Sequence, residues 1–283
     1  TLESAYRQDF DGDIELIVSD DASSDGTVRL CEEWMKKRKD RFTDTILMTS
    51  PENTGVTANI DRACRRASGE WLKVIAGDDI LMDDCITKLL RTAQGYGDKC
   101  CFISAQTLVF SEDRELKHPE SLAVMDPVAD RESIGIDYIF HDPLFWLPAP
   151  TFMYRKSLLE HIGYFPSLFR NLEDAPFLAK VLAEGYTIHI AHTPAVYYRV
   201  HDKSLTRSEL NTMDVCSLYL EIFRRVIRPL LGPIRKWDAF FAYLPLRINV
   251  RNKGKLTKAE KKARKYGKYF MFSHFFRTFT RIH

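Results

Sequence analysis

Residues 14–27 read IELIVSDDASSDGT and residues 51–81 read PENTGVTANIDRACRRASGEWLKVIAGDDIL. The run Ile14–Val18 has the length and branched aliphatic content of a buried strand, and it stops abruptly in a polar turn. A helix is predicted over Asp25–Lys39, opened by Asp25-Gly26-Thr27, with Val28, Leu30, Cys31 and Trp34 on its apolar side. The same order then repeats. TILMTS (45–50) reads as a strand, PENTG as a loop, Val56–Ala67 as a helix, and EWLKVIAG (70–77) as a second buried strand ending in Asp78-Asp79. Two successive βα units predict an α/β fold with a mainly parallel sheet flanked by helices. In such sheets ligands bind beyond the carboxyl ends of the strands, where SDDASSDGT and GDDI both fall.

Further along, a helix is expected over Asp83–Gln94 and a strand over KCCFISAQTLVF (99–110). A polar stretch, Ser111–Arg131, and a helix near Ile134–His141 follow. The aromatic, proline-rich DPLFWLPAPTFMYR (142–155) reads as a pocket wall. NLEDAPFLAKVLAEG (171–185) reads as a helix, YTIHIAH (186–192) and AVYYRV (195–200) as two strands, and the chain from Thr206 as helical throughout. The expected division is one large α/β domain over 1–205 and a helical, basic extension over 206–283.

With 283 residues, 45% hydrophobic and 28% charged, the chain can bury a large core, which excludes intrinsic disorder and disulfide-stapled miniproteins. No run reaches the roughly 18–20 apolar residues of a membrane-spanning helix. The six cysteines show no metal-ligating spacing, and a reducing cytoplasm is the simplest compartment for them. The net charge of +2 conceals an asymmetry: residues 247–283 carry twelve Lys/Arg and one acidic residue, leaving −9 for the rest. The chain opens with Thr1 and a short helical pattern, TLESAYRQDF, with no strand before it. An incomplete chain is the expectation.

Three carboxylate pairs sit where a strand or loop meets a helix: Asp20-Asp21, Asp78-Asp79 and Glu173-Asp174. Adjacent carboxylates repel unless a cation or hydrogen-bond donors hold them, although the same residue types also serve as ordinary helix caps. Together with PENTG, NLEDAPFLAKVLAEGY and YYRVHDKSLT, these motifs resemble the family-2 inverting glycosyltransferases of GT-A fold, especially bacterial enzymes of capsule and O-antigen synthesis. The resemblance runs from about Leu2 to Ser208. It implies that Asp20 and Asp21 face a nucleotide base, commonly uracil, and that Asn53, Gly55, Asn59 and Arg62 help form the nucleotide-sugar pocket.

It further implies that Gly77-Asp78-Asp79 is the DXD-type motif. Asp79 would bind Mg²⁺ or Mn²⁺ directly and Asp78 would sit near the ribose or behind the metal ligands, with His201 as a further metal or diphosphate contact. In the ED pair, Asp174 would be the catalytic base, with Glu173 beside it on the nucleotide-sugar side. Two departures stand out. The family's first strand is absent, and its Gly-Phe-Asp appears as Gly163-Tyr164-Phe165-Pro166.

The expected reaction is inverting transfer of a sugar from a nucleotide-diphosphate donor, a UDP-sugar first, to a saccharide or lipid-linked acceptor in cell-surface polysaccharide synthesis. Phe145, Trp146 and Pro148–Thr151 are candidates for the acceptor side. The basic tail with YFMFSHFF suits peripheral contact with an anionic membrane, at the inner face of a cell membrane, and no motif suggests nucleic acid. Two alternatives stay open: a sugar-phosphate nucleotidyltransferase, which would carry a Gly-rich basic loop, and a non-catalytic membrane-associated scaffold of the same fold.

Overall fold

The computed structural model describes residues 1–111, 122–126, 128, 130–141, 146–200 and 215–251. The chain begins with α1 (Leu2–Tyr6) and then β1 (Glu15–Asp20), α2 (Thr27–Arg38), β2 (Asp44–Thr49), α3 (Val56–Arg66), β3 (Trp71–Lys73) and β4 (Ile80–Leu81). It continues through α4 (Cys85–Tyr96), β5 (Phe102–Ser111), β6 (Ala123–Met125), β7 (Ser133–Ile134), α5 (Asp137–His141), β8 (Met153–Arg155) and α6 (Lys156–Ile162). After α7 (Asp174–Ala183) and β9 (Ile188–Val200) come α8 (Val215–Ile222), a π-helical turn at Phe223–Ile227, α9 (Arg228–Leu230) and α10 (Pro233–Arg251).

The structure divides into two compact units: 1–133 with 147–177 and 188–201, and 134–146 with 178–187 and 202–283. In the first, β1 and β2 form a parallel pair in register from Glu15 opposite Asp44 to Asp20 opposite Thr49. A larger sheet runs β3-β8-β5-β9-β4, with β6 alongside β5. Its long ladder, β5 with β9, is parallel. The short ladders β3–β8, β4–β9, β5–β6 and β5–β8 are antiparallel. The sheet is therefore mixed: the long ladders follow the expected parallel pattern, and the short strands return against it.

The stretches 111–131 and 142–155, read without regular structure, contain β6 and β8, and two predicted strands also differ from their sequence reading. EWLKVIAG keeps only Trp71–Lys73 in a ladder, because the chain leaves β8 at Lys73 and turns toward Asp79. The two strands expected over 186–200 are one, β9. Pro194 has no N–H to give a ladder, and the register against β5 shifts between Ala105 and Thr107, so the interruption is a bulge within one strand.

The core of this unit lies under β5, where Phe102 meets Phe152, Tyr154 and Phe177 at centroid distances of 5.0, 5.6 and 5.7 Å. Phe165 stacks on Phe177 at 4.4 Å. The departure at Gly163–Pro166 is thus a packing element: Gly163 closes α6 in the left-handed region (φ 78°) and Phe165 enters the core. In the second unit, α10 packs on α8 and α5, and Phe223 stacks on Tyr243 at 4.3 Å. No helix among the described residues is long and apolar enough to cross a membrane.

Candidate active site

Asp20 ends β1, where its buried carboxylate accepts the Ser23 N–H at 2.9 Å and shapes the turn. Asp21 reaches across to the loop after β2. It accepts the Thr54 N–H (2.9 Å) and hydroxyl (2.5 Å) and the Gly55 N–H (2.6 Å), with the Arg62 guanidinium 3.5 Å away. Burial alone would raise its pKa, but these donors outweigh it and hold the carboxyl below its ordinary value.

Asn59, one turn into α3, binds the β1 backbone. Its side-chain amide donates to Ser19 O (2.9 Å), and its Oδ1 accepts the Ser19 hydroxyl (2.6 Å) and Arg62 Nη2 (2.7 Å). Arg62 Nε is buried without a hydrogen-bond partner among the described residues.

Gly55 stands at φ +93°, and a Cβ there would lie 2.6 Å from the Arg170 carbonyl oxygen. Glycine is required by both conformation and space. The segment before the ED pair presses onto this turn: Thr57 donates its N–H to Arg170 O (3.1 Å) and its hydroxyl to Phe169 O (2.7 Å). Arg170 Nη2 donates to Asn53 O (2.7 Å) and Oδ1 (2.8 Å). Asn53 in turn donates to Asp21 O at 3.2 Å. Asp21, Asn53, Gly55, Asn59 and Arg62 are therefore one hydrogen-bonded group, and the segment leading into Glu173-Asp174 is tied to it.

Asp174 is the first residue of α7, half-buried, with its Oδ1 accepting its neighbour Ala175 N–H at 2.6 Å. Burial raises its pKa, against the pull of backbone N–H groups. Glu173 supplies the carbonyl that accepts the Phe177 N–H at 3.1 Å.

The DXD-type pair behaves asymmetrically. Asp79 is 1% exposed, whereas Asp78 is exposed. Asp79 Oδ1 accepts the Arg199 N–H at 2.9 Å, and Arg199 Nε donates to Asp78 O at 2.9 Å. Burial pushes the Asp79 carboxyl up to about 6; Asp78 adds to the rise, while the Arg199 N–H, Lys73 and the Arg199 charge oppose it. His201 lies outside the described residues, as does Phe145.

Among the described residues no group of three or more His, Cys, Asp or Glu gathers as a metal cage. Two adjacent carboxylates, one buried and reluctant to ionise alone, are nevertheless the donor set that suits Mg²⁺ or Mn²⁺, which take one or two carboxylates and complete their shell with phosphates and water.

Lys73 and Arg170 were not singled out by sequence. The Lys73 ammonium donates to Val74 O (2.7 Å) and Pro150 O, pinning the Pro148–Thr151 segment to β3. Burial lowers its pKa, opposed by Cys85 and Asp79. Thr151 anchors the other end, accepting the Ala105 N–H at 3.0 Å and donating to Pro148 O at 2.7 Å. A charged residue within the apolar run EWLKVIAG was the available signal for Lys73. Arg170 had none.

The profile of Glycosyl transferase family 2 matches residues 1–163. The chain belongs to this family. EpsH of Bacillus subtilis, named as a glycosyltransferase, is 26% identical to this family-2 chain over 209 residues, 73% of this chain and 58% of EpsH. The poly(ribitol-phosphate) β-N-acetylglucosaminyltransferase TarS of Staphylococcus aureus is 23% identical over 229 residues, 80% of this chain and 36% of TarS. This family-2 chain thus spans less than two thirds of either relative.

Among solved structures, S. aureus TarS 1–349 in complex with UDP-GlcNAc superposes with a TM-score of 0.63 at 17% identity, covering 93% of this chain and 73% of that one. The mannosyltransferase PcManGT of Pyrobaculum calidifontis, in complex with GDP-Man and Mn²⁺, gives 0.54 at 18% identity, covering 99% and 78%. The fold is GT-A.

Proposed function

We propose that this family-2 protein transfers a glycosyl group, with inversion, from a nucleoside-diphosphate sugar to a hydroxyl of a saccharide or lipid-linked acceptor in cell-surface polysaccharide synthesis. The observation that carries this is the hydrogen-bonded unit joining Asp21, Asn53 and Gly55 through Phe169–Arg170 to the segment that ends in Asp174. It links the carboxylate suited to hold a nucleotide base to the carboxylate suited to take a proton. UDP-GlcNAc and GDP-Man in the similar structures support a nucleotide-sugar donor, and the Mn²⁺ in one of them supports a divalent cation. Capsule or O-antigen is the product class, and the inner face of the cell membrane the location. The basic segment 247–283 would contact anionic lipid there, and residues 1–205 would form the transferase domain.

In this mechanism Asp20 shapes the turn, while Asp21, held in place by the Thr54 and Gly55 N–H groups, faces the base and ribose. Asp78 and Asp79, with His201, would hold the cation, whose chemistry when bound is to neutralise the departing diphosphate. Glu173 and Arg62 flank the donor. Asp174 accepts the proton of the acceptor hydroxyl as its oxygen attacks the anomeric carbon from the face opposite the diphosphate, a role its raised pKa suits. Pro148–Thr151, held by Lys73 and Thr151, borders the acceptor. Family membership lends nothing to a nucleotidyltransferase, and turnover separates the transferase from a non-catalytic scaffold.

The experiment is a screen of nucleotide sugars for release of nucleoside diphosphate with Mn²⁺ or Mg²⁺. Metal-dependent release from one donor that is lost in Asp174→Asn supports the reading. Folded protein that binds donor but releases nothing with any saccharide or lipid acceptor overturns it.

A further inference from the structure

Helix α10 is apolar on two opposite sides. At 100° per residue, Ala239, Ala242 and Tyr243 share one side and are buried in the second unit. Ile234, Trp237 and Phe240 lie on the other and are 64%, 52% and 46% exposed, and Leu230 of α9 is 40% exposed just before them. Half-buried Phe241 and Leu244 continue this side. Single exposed apolar residues are ordinary, but a continuous stripe with two aromatics is the mark of a surface that meets something.

The charge around the stripe says what. Residues 224–251 hold seven Lys/Arg and a single acidic residue, Asp238, which is buried. Arg224, Arg225, Arg228, Arg235 and Lys236 are exposed, and Arg225 is paired with Glu221 at 2.8 Å. The Arg247 guanidinium lies over the Phe240 ring at 5.0 Å and the Phe223 ring at 5.6 Å. Burial, with repulsion from the exposed Arg224 and Arg228, lowers the Arg247 pKa, so the positive charge beside Arg247 comes from more than one guanidinium.

We infer that the face formed by Leu230, Ile234, Trp237 and Phe240, with Arg224, Arg228 and Arg247 beside it, docks on a bilayer containing anionic phospholipid. The helix lies in the plane of the interface, its aromatic and aliphatic side chains enter the headgroup boundary, and the arginines pair with headgroup phosphates. A second copy of the chain fits less well. The stripe from Ile234 to Leu244 covers about 15 Å of helix, short of the three to four heptads of a coiled coil, and the same face of a second copy would offer the arginines no acidic partner, since Asp238, the one acidic residue of 224–251, is buried. The face is distinct from the segment 252–283. It rests on the proposed function only for its purpose, the delivery of a lipid-linked acceptor.

The test is sedimentation of the full chain with vesicles of phosphatidylcholine alone or mixed with phosphatidylglycerol, without donor or acceptor, so that it stands apart from any failure of transfer activity. Wild type should bind the anionic vesicles and leave the neutral ones. The triple variant Ile234→Ser, Trp237→Ser, Phe240→Ser should bind the anionic vesicles roughly tenfold or more weakly, with unchanged circular dichroism. Independently of that variant, the emission difference between wild type and Trp237→Phe should shift to the blue on anionic vesicles. Equal binding by the triple variant, no binding by wild type, an unshifted Trp237 signal, or a wild-type dimer that the triple variant abolishes would each overturn the inference.

Discussion

Asp79→Asn should make the metal-free protein more stable at neutral pH while removing its metal-dependent activity. The Asp79 carboxyl is almost completely buried beside Asp78, and its pKa rises from 3.8 to about 6. That rise corresponds to about 3 kcal/mol. Because the folded-state value is the higher one, the unfolded chain releases this proton first as pH climbs. Stability is therefore greatest below about pH 4, falls between about 4 and 6, and stays lowered above.

Asparagine keeps the size and can still accept the Arg199 N–H, but it carries no charge to bury. Urea denaturation with chelator present should show the variant more stable than wild type by up to about 3 kcal/mol at pH 7.5, with the gap closing by about pH 4. Adding Mn²⁺ with a nucleoside diphosphate should then raise the wild-type midpoint and leave the variant's where it was. A variant equal to or less stable than wild type at pH 7.5, with no change in the gap across acidic pH, would refute the reasoning that burial of the Asp79 carboxylate outweighs the groups that favour its charge.

Three further outcomes are expected. Asp174→Asn should lower kcat by about 10²–10⁴-fold while calorimetric donor affinity stays within error; the wild-type rate should climb with pH through a base whose pKa lies above the ordinary aspartate value. Gly55→Ala, at φ +93° and against the Arg170 carbonyl, should cost at least about 2 kcal/mol in thermal unfolding and weaken donor binding. Lys73→Met removes the donor shared by Val74 O and Pro150 O. It should destabilise by about 1–3 kcal/mol despite deleting a buried charge and raise the acceptor KM, with Lys73→Arg restoring neither.

The βα alternation was legible because apolar runs of strand length end in polar turns at Asp20 and Asp78, and the fold follows from that repeat. What was hidden depends on packing between distant residues. Arg170 meets Asn53 and Gly55 across more than a hundred residues, and no local pattern announces that contact. The break after Lys73 was invisible because Val74-Ile75-Ala76 is as apolar as the strand before it, although the chain there has already left the ladder. At Pro194 the local signal pointed to a break between strands, but long pairing with β5 carries one strand through as a bulge. The resemblance gives the adjacent aspartates different roles, but no local pattern shows that Asp79 is buried against the Arg199 backbone while Asp78 is exposed.

The central claim is that one carboxylate, Asp174, drives a single displacement at the anomeric carbon. The most direct measurement is the anomeric configuration of the first product formed from an α-linked nucleotide sugar, read by proton NMR before any further reaction. A β-linked product, absent with Asp174→Asn, is the predicted result. An α-linked product, or one formed equally well without the Asp174 carboxylate, would contradict the account.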